Sequence, residues 1–170
     1  RITRLGLVRS FQVSRLFGNL SVADNLMLPH LASQGAAGMA GGREMARRLL
    51  ELTNLARLAG EPAKALSGGQ RALLQIAAGF MIPGVKAYVL DEPFAGINPV
   101  IKDTMIELIQ RENRERGIAF VVVSHEMAIV RRLCRRVTVM IEGRIVAEGG
   151  LDDVASRPDV IAAYLGKSFA

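Results

Sequence analysis

The apolar residues of this chain follow two patterns in succession. From Ser21 to about Met81 they recur at the spacing of a helix, which predicts three amphipathic helices. The glycine-rich residues 35–42 predict a flexible connector after the first helix, and the glycine and proline of residues 60–62 end the second. From Ala87 onward, short apolar runs alternate with helical stretches. The predicted fold class is therefore α/β, a parallel-sheet core with an all-helical subdomain.

Several predicted elements also carry a signal at their ends. Ser21 and Asp24 form a capping box ahead of the first helix, and Gly117 lies just past a helix over residues 99–116. Residues 118–123 are almost wholly apolar, which predicts a strand buried on both faces. Strands are predicted over residues 6–12, 87–90, 118–123, 137–141 and 145–147, and helices over residues 21–32, 43–59, 67–81, 99–116, 126–133, 151–155 and 159–165.

These elements divide the chain into three parts. We expect a helical subdomain over about residues 20–82 and an α/β core assembled from about residues 1–19 and 83–150. Two short helices over residues 151–170 close the chain. Open parallel sheets bind ligands at the carboxyl ends of their strands, so the residues that follow the predicted strands are the first candidates for a site.

Composition and charge narrow the possible functions and partners of the chain only slightly. Half of the 170 residues are apolar, which suffices for one core, and the single cysteine, Cys134, excludes an intrachain disulfide and fits a reducing compartment. The net charge of +6 includes arginine clusters within residues 43–48 and 131–136, but no aromatic residues interleave with them. Both clusters are interpreted as solvated helix faces, and no nucleic-acid partner is expected.

Residues 66–70 carry the strongest chemical signal. They read Leu-Ser-Gly-Gly-Gln at the start of a predicted helix, where the first backbone N–H groups have no intrahelical partner and attract anions. An ordinary helix cap explains Ser67, but it does not explain two successive glycines followed by Gln70. The candidate binding residues here are Ser67, Gly68, Gly69 and Gln70.

A second signal stands about twenty positions later, where an apolar strand ends in Leu90-Asp91-Glu92-Pro93. Two carboxylates at the end of a buried strand can hold Mg²⁺ and orient a water molecule. Together with residues 66–70, they indicate phosphoryl chemistry on a nucleotide.

The order and wording of these motifs resemble the ATP-binding cassette (ABC) ATPases, the motor subunits of ABC transporters. Residues 94–99, Phe-Ala-Gly-Ile-Asn-Pro, are similar to the D-loop of that family, which makes Asn98 a further nucleotide-binding candidate. His125 is similar to the switch histidine, one strand and one helix beyond the carboxylates. Gln12, at the end of the first predicted strand, is similar to the Q-loop glutamine.

The resemblance implies ATP and Mg²⁺ as cofactors and a role for each of these side chains. Asp91 would hold Mg²⁺ through its water shell, and Glu92 would orient or deprotonate the attacking water. His125 would hydrogen-bond the γ-phosphate. Gln12 would reach both the Mg²⁺ and the attacking water.

The resemblance also implies partners and a location. In the family, the LSGGQ motif grips ATP held by the opposite subunit, so an ATPase homodimer, or a heterodimer with a paralogous subunit, is implied. Transmembrane permease subunits would place it peripherally on the cytoplasmic face of the inner membrane. Residues 7–12, 143–149 and 159–166 resemble ATPases of branched-chain amino acid importers, while lipopolysaccharide-export ATPases share parts of this pattern and are close rivals.

One family motif is missing from the 170 residues. A phosphate-binding P-loop requires Gly-x-x-x-x-Gly-Lys-Ser/Thr, and no lysine of the chain occupies that frame. Gly166-Lys167-Ser168 lacks the first glycine, because that position is Ile161. We therefore expect the C-terminal part of a larger ATPase domain, which by itself binds ATP poorly and hydrolyses almost none.

Two rival interpretations belong to other classes. A basic chain could come from a nucleic-acid-associated or ribosome-associated ABC protein, although the segment between Gln12 and Leu66 is short and carries no heptads. Alternatively, the chain is a non-catalytic module that regulates or scaffolds its partners. Salt-dependent binding of DNA or RNA would favour the first, and an upstream P-loop in the same reading frame would exclude the second.

Overall fold

The computed structural model describes residues 3–10, 16–34 and 39–165, and it divides the chain into two compact units, Arg1–Ser124 and His125–Ala170. The first unit holds the sheet and the long helices, and the second holds a hairpin with short helices. Within the described ranges, no helix is both long enough and apolar enough to cross a membrane.

The first unit contains a three-stranded parallel sheet in the order β1–β2–β3. Its strands are β1 (Leu7–Arg9), β2 (Ala87–Asp91) and β3 (Ala119–Val123). Arg9 pairs with Val89 in the register of β1 and β2. The predicted parallel sheet is thus confirmed, and the carboxyl end of β2 lies between its two neighbours.

Four helices complete this unit: α1 (Val22–Gln34), α2 (Met39–Leu52), α3 (Gly68–Phe80) and α4 (Pro99–Arg116). Short 3₁₀ turns occupy Thr3–Leu5, Ala56–Leu58 and Ala63–Ala65. Helix α1 packs on both α2 and α3, and α3 packs on α4. The largest fully buried side chains are Leu26, Leu49, Leu55, Leu73, Leu74, Phe80, Met81, Tyr88, Leu90, Phe94, Met105 and Ile106.

The predicted connector over residues 35–42 is wrong in its second half. Helix α2 begins at Met39 and includes Gly41 and Gly42, whereas residues 35–38 lie outside the described part of the chain. A Cβ on Gly42 would lie 2.9 Å from Nε2 of His30 and collide with that ring. The glycine therefore permits close packing of α2 on α1, a tertiary cause that overrides its low helix propensity.

The prediction that β3 is buried on both faces is also wrong. Val121 and Val123 are 57% and 48% exposed. Among the described residues, β3 pairs only with β2, and the face that carries these two valines is exposed. An unbroken apolar run predicts a buried strand only when other elements cover both of its faces.

The second unit contains α5 (Met127–Leu133), an antiparallel hairpin of β4 (Val137–Ile141) and β5 (Arg144–Gly149), α6 (Leu151–Ala155) and α7 (Pro158–Leu165). Its small core is formed by Val139, Ala147, Val154 and Val160. The predicted hairpin is confirmed, with Glu142 and Gly143 at positive φ in its turn.

Candidate functional site

A reciprocal cap builds the start of α3 from the Leu-Ser-Gly-Gly-Gln motif. The backbone N–H of Gln70 donates to Oγ of Ser67 at 3.2 Å, and the N–H of Ser67 donates to Oε1 of Gln70 at 2.9 Å. Arg71 adds a hydrogen bond from Nη1 to the carbonyl oxygen of Leu66 at 2.6 Å. The side chains of Ser67 and Gln70 therefore shape the motif, and the N–H groups left without an intrahelical acceptor are those of Gly68 and Gly69.

The two glycines of the motif have different surroundings. A Cβ on Gly68 would meet nothing within 4 Å, so its backbone is open to approach by an anion. A Cβ on Gly69 would lie 3.4 Å from the side chain of Ile97 and 3.5 Å from that of Ile101. Gly69 thus lies close to the loop before α4 and to the first turn of α4, while Gly68 is open, and its contact with nucleotide stays a prediction.

The two candidate carboxylates stand where β2 ends. Oδ2 of Asp91 accepts a hydrogen bond from Nη2 of Arg9 at 3.1 Å, and the backbone N–H of Asp91 donates to Oγ of Ser10 at 3.1 Å. Glu92 follows with φ of 45°, an uncommon value for a residue with a side chain, and its N–H donates to the carbonyl oxygen of Val123 at 2.9 Å. Such backbone strain is often found at functional sites.

A cavity of about 390 Å³ in the first unit is lined both by the Leu-Ser-Gly-Gly-Gln motif of residues 66–70, called the signature motif below, and by the two carboxylates. Gly68 lines it from α3, Asp91 and Glu92 line it from β2, and Gly96 lines it from the loop before α4. Ser10 lines it from the end of β1. Three of the sequence-predicted residues, Gly68, Asp91 and Glu92, thus line one cavity.

Asn98 has a structural contact of its own. Its Oδ1 accepts a hydrogen bond from the N–H of Ile101 at 3.0 Å, which caps α4 directly before Pro99 at the first helical position. This contact accounts for asparagine at that position, and the predicted contact of Asn98 with nucleotide stays a prediction.

The remaining catalytic candidates are His125 and Gln12. His125 is the first residue of the second unit, directly after the segment that contains β3. Gln12 lies outside the described residues. Their predicted contacts with the γ-phosphate and with Mg²⁺ and water therefore stay predictions.

The donor set near Asp91 fits Mg²⁺ bound together with a nucleotide. Among the described residues, no group of three or more His, Cys, Asp or Glu side chains could hold a metal unaided. Mg²⁺ commonly keeps several waters and takes only one or two carboxylates plus phosphate oxygens. Asp91, about one third exposed at the strand end, provides such a carboxylate.

Tyr88 is a structural residue of this site that sequence reasoning missed. It lies on β2, fully buried, and its Oη donates to the carbonyl oxygen of Ile76 in α3 at 3.3 Å. Burial raises the pKa of Tyr88, so the hydroxyl stays neutral and remains a donor. A Cβ on Gly79 would collide with the Tyr88 ring, so a glycine inside α3 was the available signal of this close approach.

Known proteins similar to this chain are ATP-binding proteins of transport systems. A probable branched-chain amino acid transport ATP-binding protein, LivG of Archaeoglobus fulgidus, is 35% identical over 97% of this chain and 67% of its own length. The high-affinity branched-chain amino acid transport ATP-binding protein BraF of Pseudomonas aeruginosa is 32% identical over 99% and 71%. A methionine import ATP-binding protein, MetN of Caulobacter vibrioides, is 35% identical over 91% and 45%.

Solved structures agree with these relatives, whereas no family model matches the chain. The ADP conformation of an ATP-binding cassette of an ABC transporter superposes with a TM-score of 0.80 at 29% identity, covering 97% of this chain and 70% of that one. A dimeric ATP-binding cassette in a post-hydrolysis state with ADP and Pi gives a TM-score of 0.74 at 25% identity, covering 85% and 62%. The parallel-sheet fold and its helices are thus those of an ABC cassette.

Proposed function

Because this chain belongs to the family of ABC transporter ATP-binding proteins, we propose that it is part of a transport ATPase that powers import of branched-chain or other amino acids. The observation that carries this proposal is the complete Leu-Ser-Gly-Gly-Gln motif, folded as a reciprocal cap with Gly68 open to solvent. The names of the relatives support amino acids as the cargo.

The signature motif would act on a phosphate group. The Gln70 N–H is taken by Ser67, but the N–H groups of Gly68 and Gly69 have no intrahelical acceptor, and the positive end of the helix dipole favours an anion there. A phosphate of ATP held by an opposing subunit would meet Ser67, Gly68, Gly69 and Gln70. A homodimer, or a heterodimer with a paralogous subunit, would provide that arrangement.

The carboxylates would act on a different ATP, the one held by the same subunit. Asp91 would hold Mg²⁺ through its waters, and Mg²⁺ would supply charge neutralisation at the phosphates. Glu92 would orient the attacking water or accept its proton. His125, Gln12 and Asn98 would complete the contacts with nucleotide and water.

The remaining proposed partners are those that transport across a membrane requires. We propose that the ATPase works peripherally on the cytoplasmic face of the inner membrane, bound to transmembrane permease subunits. The 170 residues contain no P-loop, so we expect the chain alone to bind Mg-ATP weakly and to show almost no turnover.

A chimera tests this proposal directly. The P-loop segment of the Archaeoglobus LivG would be joined ahead of residue 1, and Mg-ATP binding and turnover would be measured for the chimera and for the chain alone. We expect turnover only in the chimera, falling by at least about 100-fold with Glu92→Gln, because the residue that positions water is lost.

Glu107→Gln is the matched control, since Glu107 is an exposed glutamate on α4 outside the cavity. It should leave turnover unchanged. A folded chimera that binds ATP and hydrolyses it equally well with Glu92→Gln would refute the assigned role of Glu92.

A further inference from the structure

A fully buried carboxylate lies near the far end of α4. Glu112 is 0% exposed, and its two oxygens bind two arginines. Oε1 accepts a hydrogen bond from Nη1 of Arg48 at 2.9 Å, and Oε2 accepts one from Nη1 of Arg116 at 2.7 Å. Arg48 belongs to α2, so the carboxylate joins α2 to α4.

Each arginine makes a second contact, so the network reaches three helices. Nη2 of Arg48 donates to Oε2 of Glu115 at 2.6 Å, one helical turn from Glu112 on α4. Nη1 of Arg116 also donates to the carbonyl oxygen of Phe80, the last residue of α3, at 3.3 Å. The Arg48–Glu112–Arg116 network thus fixes the carboxyl end of α3 and the middle of α2 on one turn of α4.

Stability alone does not account for a network of this kind. Desolvation of a buried ion pair offsets much of its attraction, and apolar side chains of similar size often stabilise as well. What a guanidinium bridging two carboxylates adds is direction, because its planar fork fits only one orientation. The network therefore specifies the angle at which α2 lies on α4.

Two further contacts attach helices α1–α3, here called the helical layer, to the rest of the first unit. At the carboxyl end of α3, Gly79 and Phe80 pack on Tyr88, which provides one attachment region on the sheet. At its amino end, a Cβ on Gly69 would lie 3.4 Å from the side chain of Ile97 and 3.5 Å from that of Ile101, so α3 also passes close to the start of α4. Both of these contacts lie on α3, whereas the Arg48 contact attaches α2, away from the α3 axis.

We propose that Arg48 and Glu112 are positioning residues that hold the helical layer α1–α3 at a fixed angle on α4. The consequence lies at the opposite end, because Glu112 is about 20 Å along the helix from Asn98, at 1.5 Å per residue. A tilt at the network moves the signature motif relative to the loop of residues 94–98. The proposal concerns the chain without nucleotide and does not depend on the proposed function.

A distance measurement at the signature end tests this proposal. Spin labels would be placed on Ala65→Cys, directly before Leu66, and on Val100→Cys, which is 74% exposed at the start of α4, in a Cys134→Ser background. We expect one narrow distance distribution by dipolar EPR. With Arg48→Gln, the distribution should become at least about twofold broader, because the angle is no longer specified.

Arg47→Gln is the matched control on the neighbouring position. Arg47 pairs only within α2 in its recorded ion pairs, with Glu44 at 2.6 Å and Glu51 at 2.7 Å, and the substitution removes the same charge. It should leave the distribution narrow. A purely stabilising network would lower the melting temperature of the Arg48→Gln chain without widening the distribution, and this result would overturn the proposal.

Arg48→Lys covers the case in which Arg48→Gln does not fold. Lysine keeps the charge but lacks the fork that bridges Glu112 and Glu115. The width of the distance distribution should therefore lie between the widths for the wild type and Arg48→Gln. If Arg48→Gln is unfolded, the Arg48→Lys distribution should still be clearly broader than that of the wild type. A folded Arg48→Lys chain with the wild-type distribution would contradict the need for a bridging guanidinium.

Discussion

The two ends of the α3–α4 pair differ in what holds them. The helices run side by side in the same direction, because Gly69 contacts Ile101 near their amino ends and Arg116 contacts Phe80 near their carboxyl ends. The amino ends are exposed and are held by local caps at Ser67 and Asn98. Near the carboxyl ends, Phe80 and Glu112 are buried, the first in aromatic contacts and the second in ion pairs, one of them with Arg48, 64 positions away.

This difference suggests that the residues that stabilise the α3–α4 pair and the residues proposed to bind ligand lie at opposite ends of it. A binding surface needs open backbone groups, so the amino ends carry glycine and few tertiary contacts. The precision of that surface must then come from elsewhere, and in this fold it comes from the carboxyl ends. Substitutions at the carboxyl ends should therefore cost more stability than substitutions at the amino ends.

The largest effect is expected at Glu112. Glu112→Ala leaves Arg48 and Arg116 without their buried partner, and breaking a buried ion pair on one side costs about 3–5 kcal/mol of unfolding free energy. Urea unfolding of the chain measures this loss. Glu107→Ala, at an exposed position of the same helix, should cost less than about 0.5 kcal/mol. Equal losses at the two positions would mean that the network contributes nothing specific.

A smaller effect is expected where α3 crosses β2. Gly79→Ala places a methyl group against the Tyr88 ring, and overpacking of this kind costs about 1–3 kcal/mol. In a Tyr88→Val background the cost should shrink, because the smaller side chain leaves room. Gly60→Ala, where a Cβ meets nothing within 4 Å, is the control. A cost of Gly79→Ala that is equal in both backgrounds would show that Tyr88 is not its cause.

The cap at the amino end should contribute less. Ser67→Ala removes the acceptor of the Gln70 N–H, and loss of an N-cap costs about 1 kcal/mol. Ser67→Thr keeps the hydroxyl and should retain most of the stability. Thermal unfolding followed by circular dichroism measures both variants. If the alanine variant lost as much stability as Glu112→Ala, the contrast between the two ends would be wrong.

Local signals explain which parts of the fold could be predicted from sequence. The sequence predicts α4 over Pro99–Arg116 with the residues of the structure, because Asn98, Pro99 and Gly117 mark its ends, and Gly117 adopts the left-handed conformation. The cap at Ser67 was predicted for the same reason. Each of these signals lies within a few residues of the element that it defines.

Features that depend on distant residues could not be predicted in this way. Arg48 and Glu112 lie 64 positions apart, and nothing near either residue indicates the pair. The connector at Gly42 was predicted wrongly because the close packing of Gly42 against His30 is a tertiary contact. Full burial of β3 was predicted wrongly because the sequence of a strand does not show whether other elements cover its faces. The candidate site was identified from its sequence motifs, whereas the contacts that position it could not be identified from the sequence.

The smallest expected effect is a pH dependence at Glu115, which pairs with Arg111 on α4 and with Arg48 on α2. Hydrogen bonding to Arg111 and, secondarily, to Arg48 holds the pKa of Glu115 below its ordinary value of 4.5. A carboxylate whose pKa is depressed by folding stabilises fully above pH 4.5, and this contribution is lost as the pH falls through the lower folded-state pKa. Stability measured by urea unfolding should therefore decline below pH 4.5 slightly more steeply in the wild type than in Glu115→Gln. Since Glu115 is exposed and screened, the difference should also shrink as salt is added. A difference that grew with salt would show that the ion pairs with Arg111 and Arg48 are not its origin.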